Sequence, residues 1–238
     1  MGPVTIYSFG LTLALAVVVC AFLAKRDAAA AGIAPETIFD FIFWVVVSGI
    51  LGARIFFIIL NLEMFLADPK EIFMIQNGGL AWQGGLILGT TAALGFVRKK
   101  KIPCALMADL AAPYLALGQS IGRIGCFLNG CCYGRPVGWG WYVPVHHARL
   151  YPTQLFDTVG LFVIFLVLKK FQNRSRPRGQ VFALYLILAS VERFLNEFFR
   201  GDHAVTYAGL SVFQIVSLVI FLSGLSLFYY ASKRPTTF

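Results

Sequence analysis

The chain has 238 residues, of which 58% are hydrophobic and only 13% charged, with a mean hydropathy of +0.76. A soluble domain carries roughly 25% charged residues, so this composition excludes an ordinary water-facing surface. The formal charge of +9 does not point to nucleic acid, because the basic residues sit in short clusters between apolar runs, the pattern that the positive-inside rule produces.

Hydrophobic runs approaching or exceeding ~18 residues recur, each long enough to cross a ~30 Å hydrocarbon core as a helix. A closed barrel also satisfies backbone groups in lipid, but it needs an alternating polarity that these continuous runs lack. In chain order the predicted spans are Val4–Ala24, Ile38–Leu60, Gly79–Val97, Cys104–Ile121, Thr153–Leu168, Gly179–Phe199 and Leu210–Ala231. The predicted fold class is an all-α integral membrane protein of seven transmembrane helices, a single membrane domain over 1–238. The loops after spans one, three, five and seven hold 13 of the 20 basic residues. They include Lys25 and Arg26, Arg98 to Lys101, Lys169, Lys170, Arg174, Arg176 and Arg178, then Lys233 and Arg234. This asymmetry places the amino terminus outside and the carboxyl terminus in the cytoplasm. Span one has no basic residue ahead of it and is too long for a signal-peptide core, so it reads as a retained helix. The segment Cys126–Tyr151, rich in Gly, Pro and aromatics, is predicted to form a small cap on the outer face.

Ionisable residues inside spans are expensive and mark function by default. In span six, Arg193, Asn196, Glu197 and Arg200 are spaced i, i+3, i+4, i+7, which puts them on one helical face. The plain structural alternative is an Arg193–Glu197 pair with Arg200 snorkelling outward. At the outer end of span four, residues 122–136 hold four glycines and two arginines, Gly122, Arg123, Gly125, Gly130, Gly134 and Arg135, with Asn129 near the apex. Glycine lets backbone approach a ligand, and arginine offers a planar donor fork suited to phosphate. The alternative there is a helix cap, a tight loop and interfacial anchors. Gly78 to Gly85 frames Trp82 and Gln83 between glycine pairs, which serves a site or simply close helix packing. Arg54 lies in span two with Asn61 on its face, and Asp109 in span four is a candidate partner for one of the arginines. Pro152 and Thr153 read as the start of span five, with Gln154 either structural or site-lining.

Five cysteines are present, and Cys126, Cys131 and Cys132 cluster as C-x4-C-C. That spacing, without paired histidines in the usual register, is not a typical zinc pattern. His146 and His147 are close in sequence. The expected reading is small, buried thiols, with no metal and no cofactor; the nearby histidines leave a metal as an alternative, and a disulfide outside the membrane is another.

These residues together resemble the bacterial phosphatidylglycerol–prolipoprotein diacylglyceryl transferases. The resemblance rests on Leu51-Gly52-Ala53-Arg54, Gly79-Leu80-Ala81-Trp82-Gln83-Gly84-Gly85, Gly122-Arg123-Ile124-Gly125, Phe127 and Asn129-Gly130. It continues in Tyr151-Pro152-Thr153-Gln154-Leu155-Phe156, Glu197-Phe198-Phe199-Arg200 and Gln214-Ile215, in family order over nearly the whole chain. The resemblance implies an enzyme of the inner membrane that moves diacylglycerol from phosphatidylglycerol to the lipobox cysteine of a prolipoprotein signal peptide, releasing glycerol phosphate. Its partners would be those two substrates and the bilayer, with the site toward the outer leaflet and no nucleic acid. It assigns Arg123 to the phospholipid phosphate and Arg200 to the leaving phosphate or to the acid that holds Arg123. Gly122, Asn129, Gly130, Gln83, Gln154 and Arg54 would line or shape the phospholipid site, and Glu197 would orient an arginine.

Three departures from the family pattern stand out. Gln83 occupies a position where many members have His, and an amide takes no proton at neutral pH. Cys126 and Cys131 stand where Asn and Glu are usual, and the cap is short. The alternatives are a divergent paralogue using another thiol or lipid, and a non-catalytic phospholipid-binding or transport protein. Transport is the weaker of these, since neither paired repeats nor broken midplane helices are visible.

Overall fold

The computed structural model describes residues 8–74, 78–173, 176–202, 205–207 and 209–233. The first residues of predicted span one (4–7), Arg174 and Arg234 lie outside the described residues. The helices are α1 (Ser8–Ala30), α2 (Pro35–Leu60), α3 (Leu62–Ala67), α4 (Trp82–Lys99), α5 (Cys104–Asn129), α6 (Thr153–Gln172), α7 (Gln180–Glu197) and α8 (Val212–Ser232). All but the six-residue α3 have at least 18 residues, or about 27 Å at 1.5 Å per residue. Four of them, α1, α2, α5 and α8, are long and apolar enough to cross a membrane by length and composition. In α1, α2 and α8 only 17% of the apolar window is buried. Their outward residues, such as Leu11, Phe22, Ile59 and Leu222, are large and exposed, a surface that suits lipid and not water.

The contacts divide the chain into two compact units, Met1–Ala24 with Ala108–Phe238, and Lys25–Met107. In the second, α2 packs on α4 through glycines. A Cβ on Gly52 would stand 2.4 Å from the Gly84 carbonyl oxygen, and one on Gly84 would stand 2.1 Å from the Gly52 oxygen. The two backbones therefore touch, as small residues allow between membrane helices. Arg54, only 6% exposed, has carbonyl partners. Its Nε donates to Ile72 O at 3.2 Å and its Nη1 to Gly78 O and Gly79 O at 2.7 and 3.0 Å. Nη2 donates to Glu71 O, and the guanidinium lies 5.2 Å from the Phe65 ring centre. A charge in this position survives only if every donor finds an acceptor, so Arg54 holds the connection from α3 to α4 in place.

In the first unit, α6 and α7 pack around Ala112 and Ala116 of α5 through Leu161, Ile164, Leu168, Val181 and Tyr185. Pro113 sits inside α5 and cannot donate to the carbonyl of Asp109 four residues back. Gln172 Nε2 donates to that carbonyl at 3.1 Å. Among the described residues the Asp109 side chain has no arginine partner, unlike the candidate pairing read from the sequence. Its two oxygens accept from Gly179 N at 2.5 Å and Phe182 N at 2.8 Å. It caps the start of α7 from a neighbouring helix, since the orphan N–H groups of a helix start need acceptors and its dipole favours an anion.

The segment predicted to form a cap begins inside a helix. Helix α5 runs on through Gly122 and Gly125 to Asn129, so the predicted glycine loop is helical over its first half. Beyond it, β1 (Pro136–Val143) and β2 (Ala148–Leu150) form an antiparallel ribbon, joined through a 3-10 turn at Pro144–His146. A second small ribbon pairs β3 (Val205–Tyr207) with β4 (Leu210–Ser211) ahead of α8.

Gly84→Ala forces α2 and α4 apart, and overpacking of this kind costs about 1–3 kcal/mol. Gly95→Ala, where an added Cβ meets nothing within 4 Å, gains about 0.5–1 kcal/mol of helix propensity. Thermal unfolding of the full chain in detergent is expected to give a lower midpoint for the first variant and an equal or higher one for the second.

Candidate active site

The end of α5 creates the site. Gly130 adopts φ +69°, the left-handed conformation that closes a helix. Gly130 N donates to Phe127 O and Cys131 N to Cys126 O, both at 3.2 Å. These are the paired 5→2 and 6→1 bonds of a Schellman turn, and the turn folds Cys131 back over Cys126. Cys132 follows with φ +60°, which is uncommon for a residue with a Cβ. The sulfurs of Cys126, Cys131 and Cys132 all lie within 4.8 Å of one another.

The start of α6 holds this turn. Thr153 Oγ1 donates to Cys132 O at 2.9 Å, and Gln154 Nε2 donates to Cys131 O at 2.6 Å. The Thr153 hydroxyl thus leaves its own helix uncapped and serves the loop. Gln154 is 3% exposed and positions the turn while lining a cavity of about 330 Å³ with Phe127, Asn129, Gly130 and Tyr133. On the other side, Gly134 bridges to Arg200, and Arg135 N donates to Phe199 O at 2.8 Å. Tyr133 O accepts from Gly201 N at 3.2 Å.

Four acids and three arginines, all in the first unit, form the charged part. Arg123 Nε lies 2.9 Å from Asp157 Oδ2, and the Asp157 side chain is 1% exposed. Asn196 Nδ2 donates to Asp157 Oδ1 and, at 3.0 Å, to Thr153 O. Arg193 Nη2 lies 2.6 Å from Glu197 Oε2, and Arg200 Nε lies 3.8 Å from the same oxygen. Arg200 also makes a two-pronged pair with Asp202, at 2.9 and 2.5 Å. Ser211 Oγ donates to Glu197 Oε1 at 2.7 Å and accepts from Gln214 N at 3.2 Å, while Gln214 Oε1 accepts from Ser211 N at 3.0 Å. This capping box joins the start of α8 to Glu197. Glu192 completes the set, lining a second, largely aromatic cavity of about 420 Å³ with Tyr151, Phe156, Asn196 and Phe199. Arg193 Nη1 is buried and, among the described residues, has no hydrogen-bond partner.

Two sequence expectations change here. Helix α7 ends at Glu197, so Arg200 does not continue the helical stripe. Nor does it snorkel outward: its side chain is 4% exposed. Arg200 takes Asp202 and Glu197 as partners, whereas the acid that holds Arg123 is Asp157. Asp157, Asp202, Glu192 and Ser211 were missed by sequence reasoning. Asp157 had a signal, an isolated acid in span five, but nothing in the linear sequence shows that it faces Arg123. Gly122, beside Arg123, has open space where a Cβ would be, and Asn129 is exposed at the end of α5. Arg54 and Gln83 belong to the other unit, where Gln83 is exposed.

Cys132 lies beyond the end of α5. Its thiol is held below the ordinary thiol value by the hydrogen bond from Cys126 and, against the cost of burial, by the Arg200 guanidinium beside it. The region thus combines fixed arginine donors, able to hold an oxyanion, with an electropositive thiol pocket.

A model of the prolipoprotein diacylglyceryl transferase family matches residues 1–230. The chain belongs to this family. Among similar proteins is the phosphatidylglycerol–prolipoprotein diacylglyceryl transferase of Finegoldia magna, 34% identical over 220 residues, covering 92% of this chain and 88% of that protein. The protein of the same name from Trichormus variabilis is 34% identical over 254 residues, covering 99% and 89%. The second such transferase of Clostridium perfringens is 33% identical over 230 residues, covering 94% and 90%. Family membership and the apolar helices together make this chain a multi-pass membrane transferase.

Asp157→Ala leaves Arg123 without its acid and Asn196 without its acceptor. Breaking a buried pair from one side costs about 3–5 kcal/mol, and the 24% exposure of Arg123 puts this variant toward the lower figure. Its thermal midpoint in detergent is expected to fall, with Asp157→Asn intermediate.

Proposed function

We propose that this chain transfers diacylglycerol from phosphatidylglycerol to the thiol of the lipobox cysteine in a prolipoprotein signal peptide. A thioether forms and glycerol phosphate leaves. The reaction takes place in the bacterial cytoplasmic membrane, with seven spans, the amino terminus outside, the carboxyl terminus in the cytoplasm and the site toward the outer leaflet. The supporting observation is the set of arginines, Arg123, Arg193 and Arg200, held by Asp157, Glu197 and Asp202 at the ends of helices in a family whose relatives carry this activity in their names.

The chemistry explains the arrangement. Thiolate attack at a glycerol carbon breaks a carbon–oxygen bond, and the phosphate goes from one negative charge to two. Donors fixed before the reaction stabilise that growing charge without reorganising. Arg123 binds the phosphodiester, and Arg200 meets the charge that develops on the leaving phosphate. Asp157 and the Glu197–Asp202 pair are positioning residues that keep the two forks aimed. Arg193 Nη1 is a further donor, without a hydrogen-bond partner among the described residues, available to the headgroup. Asn129, Gly130, Gly122 and Gln154 form the headgroup side of the site. The aromatic cavity beside Glu192 and Phe199 suits the apolar part of the lipid.

The test uses purified protein in detergent, phosphatidylglycerol and a lipobox peptide, with glycerol phosphate release and peptide mass gain followed together. Wild type is expected to give both. Arg123→Ala and Arg200→Ala are each expected to lose about 10²–10³ in rate, the usual cost of one oxyanion donor. Arg200→Lys recovers little, because a point charge does not replace a planar fork. Folded wild type that binds the lipid and never modifies the peptide would sink this reading in favour of a binding protein.

A further inference from the structure

The three clustered thiols have no role in the arrangement described so far. Cys126, Cys131 and Cys132 are free cysteines, each half-buried. Their sulfurs gather within 4.8 Å of one another because the Schellman turn at Gly130 lays Cys131 over Cys126, and the left-handed Cys132 turns back to join them. A tetrahedral zinc ion at about 2.3 Å from each sulfur requires sulfurs roughly 3.8 Å apart. The present spacing exceeds that value by at most about 1 Å. Among the described residues no histidine or carboxylate joins the group. Three protein ligands with a fourth position left open is the arrangement of catalytic zinc, whereas structural sites are closed by four.

We infer that Cys126, Cys131 and Cys132 bind a zinc ion whose open fourth position takes the acceptor thiol, an inference that rests on the thiol-alkylating reaction proposed above. Zinc with three thiolates carries a net charge of −1, and coordination of a fourth thiolate makes it −2. The guanidinium of Arg200 hydrogen-bonds Cys132, and Arg123 acts on Cys126 and Cys132 through its charge, so the surroundings favour that anionic complex. The cavity lined by Phe127, Asn129, Gly130, Tyr133 and Gln154 lies beside the turn that carries the cysteines.

The site answers a chemical need. The acceptor thiol must lose its proton before it attacks, because the thiolate and not the thiol is the nucleophile. A zinc ion deprotonates a coordinating thiol outright. The acceptor would release its proton to solvent on binding. Its sulfur electron pair would then form the bond to the glycerol carbon. The carbon–oxygen bond breaks, its electrons depart with glycerol phosphate, and the thioether product, a poorer ligand, leaves the ion. Zinc changes neither charge nor oxidation state.

The experiment uses the full chain purified in detergent under reducing, oxygen-free conditions and loaded with Co²⁺ as an optical stand-in for zinc. The expected result is one ion per chain, with sulfur-to-metal absorption and the intense visible bands of a tetrahedral site. A lipobox peptide shifts those bands, and its Cys→Ser counterpart does not. Cys131→Ser is expected to weaken metal binding by more than about tenfold, since losing a ligand costs at least as much as losing a supporting contact. Cys20→Ser and Cys104→Ser keep it. Absence of stoichiometric metal, a disulfide among the three thiols in the oxygen-free protein, or bands that ignore the peptide thiol each overturn the inference. The wild-type spectrum decides this even where a cysteine variant fails to fold. Glycerol phosphate release on the same samples separates the two proposals. Metal-free protein that transfers at full rate sinks the zinc site and leaves the transferase reading intact. Metal-loaded protein that binds the peptide thiol but never releases glycerol phosphate leaves the site standing and sinks the transferase reading.

Discussion

Glu197 is the residue on which the charged site hangs. Its side chain is 2% exposed and its two oxygens meet Arg193, Arg200 and the Ser211 hydroxyl. Removing a carboxylate and a guanidinium from water costs several kcal/mol per ion, and only close pairing with further hydrogen bonds offsets it. Here one acid aligns two arginines from the end of α7 and locks the start of α8 through the Ser211–Gln214 capping box. Losing it would take from Arg193 the acid at 2.6 Å and leave Arg200 to Asp202. The same logic governs Asp157, which serves Arg123 and Asn196 together.

Placing this network at helix ends follows from how membrane helices satisfy themselves. Inside a helix the backbone has no donors or acceptors to spare, whereas its ends leave four of each open. Asp109 uses the open N–H groups of α7, Gln172 fills the carbonyl freed by Pro113, and Thr153 and Gln154 hold the carbonyls of Cys131 and Cys132. Side chains that look catalytic in the sequence thus divide into two groups. Gln154 and Arg54 spend their donors on backbone and shape the scaffold. Arg123, Arg193 and Arg200 have acids as partners, and an acid can be traded for a phosphate.

The turn after α5 links that scaffold to the thiols. A left-handed glycine ends the helix, and the two hydrogen bonds that it permits bring residues five apart into contact. In C-x4-C-C the spacing of five between the first two cysteines is the spacing that a Schellman turn superposes. A linear reading aimed at the usual zinc spacings passes over it, because the helix cap gathers the sulfurs and not a loop between paired cysteines.

What the sequence determined by itself is what depends on local composition and period. The helical membrane class, the starts of the long helices to within a few residues and the family all follow from apolar runs, basic clusters and ordered short motifs, each of which is a property of neighbouring residues. The ends of α5 and α7 were misplaced because both depend on partners elsewhere: α5 persists through two glycines, one of them pressed against Thr12, and α7 stops where Arg200 joins Gly134. Which acid serves which arginine was decided by tertiary structure alone. Asp157, Asp109 and Asp202 are interchangeable in composition. Only the packing of α5, α6 and α7 puts Asp157 against Arg123 and turns Asp109 away to a helix start, because a buried charge settles on the partner that geometry brings within hydrogen-bond reach.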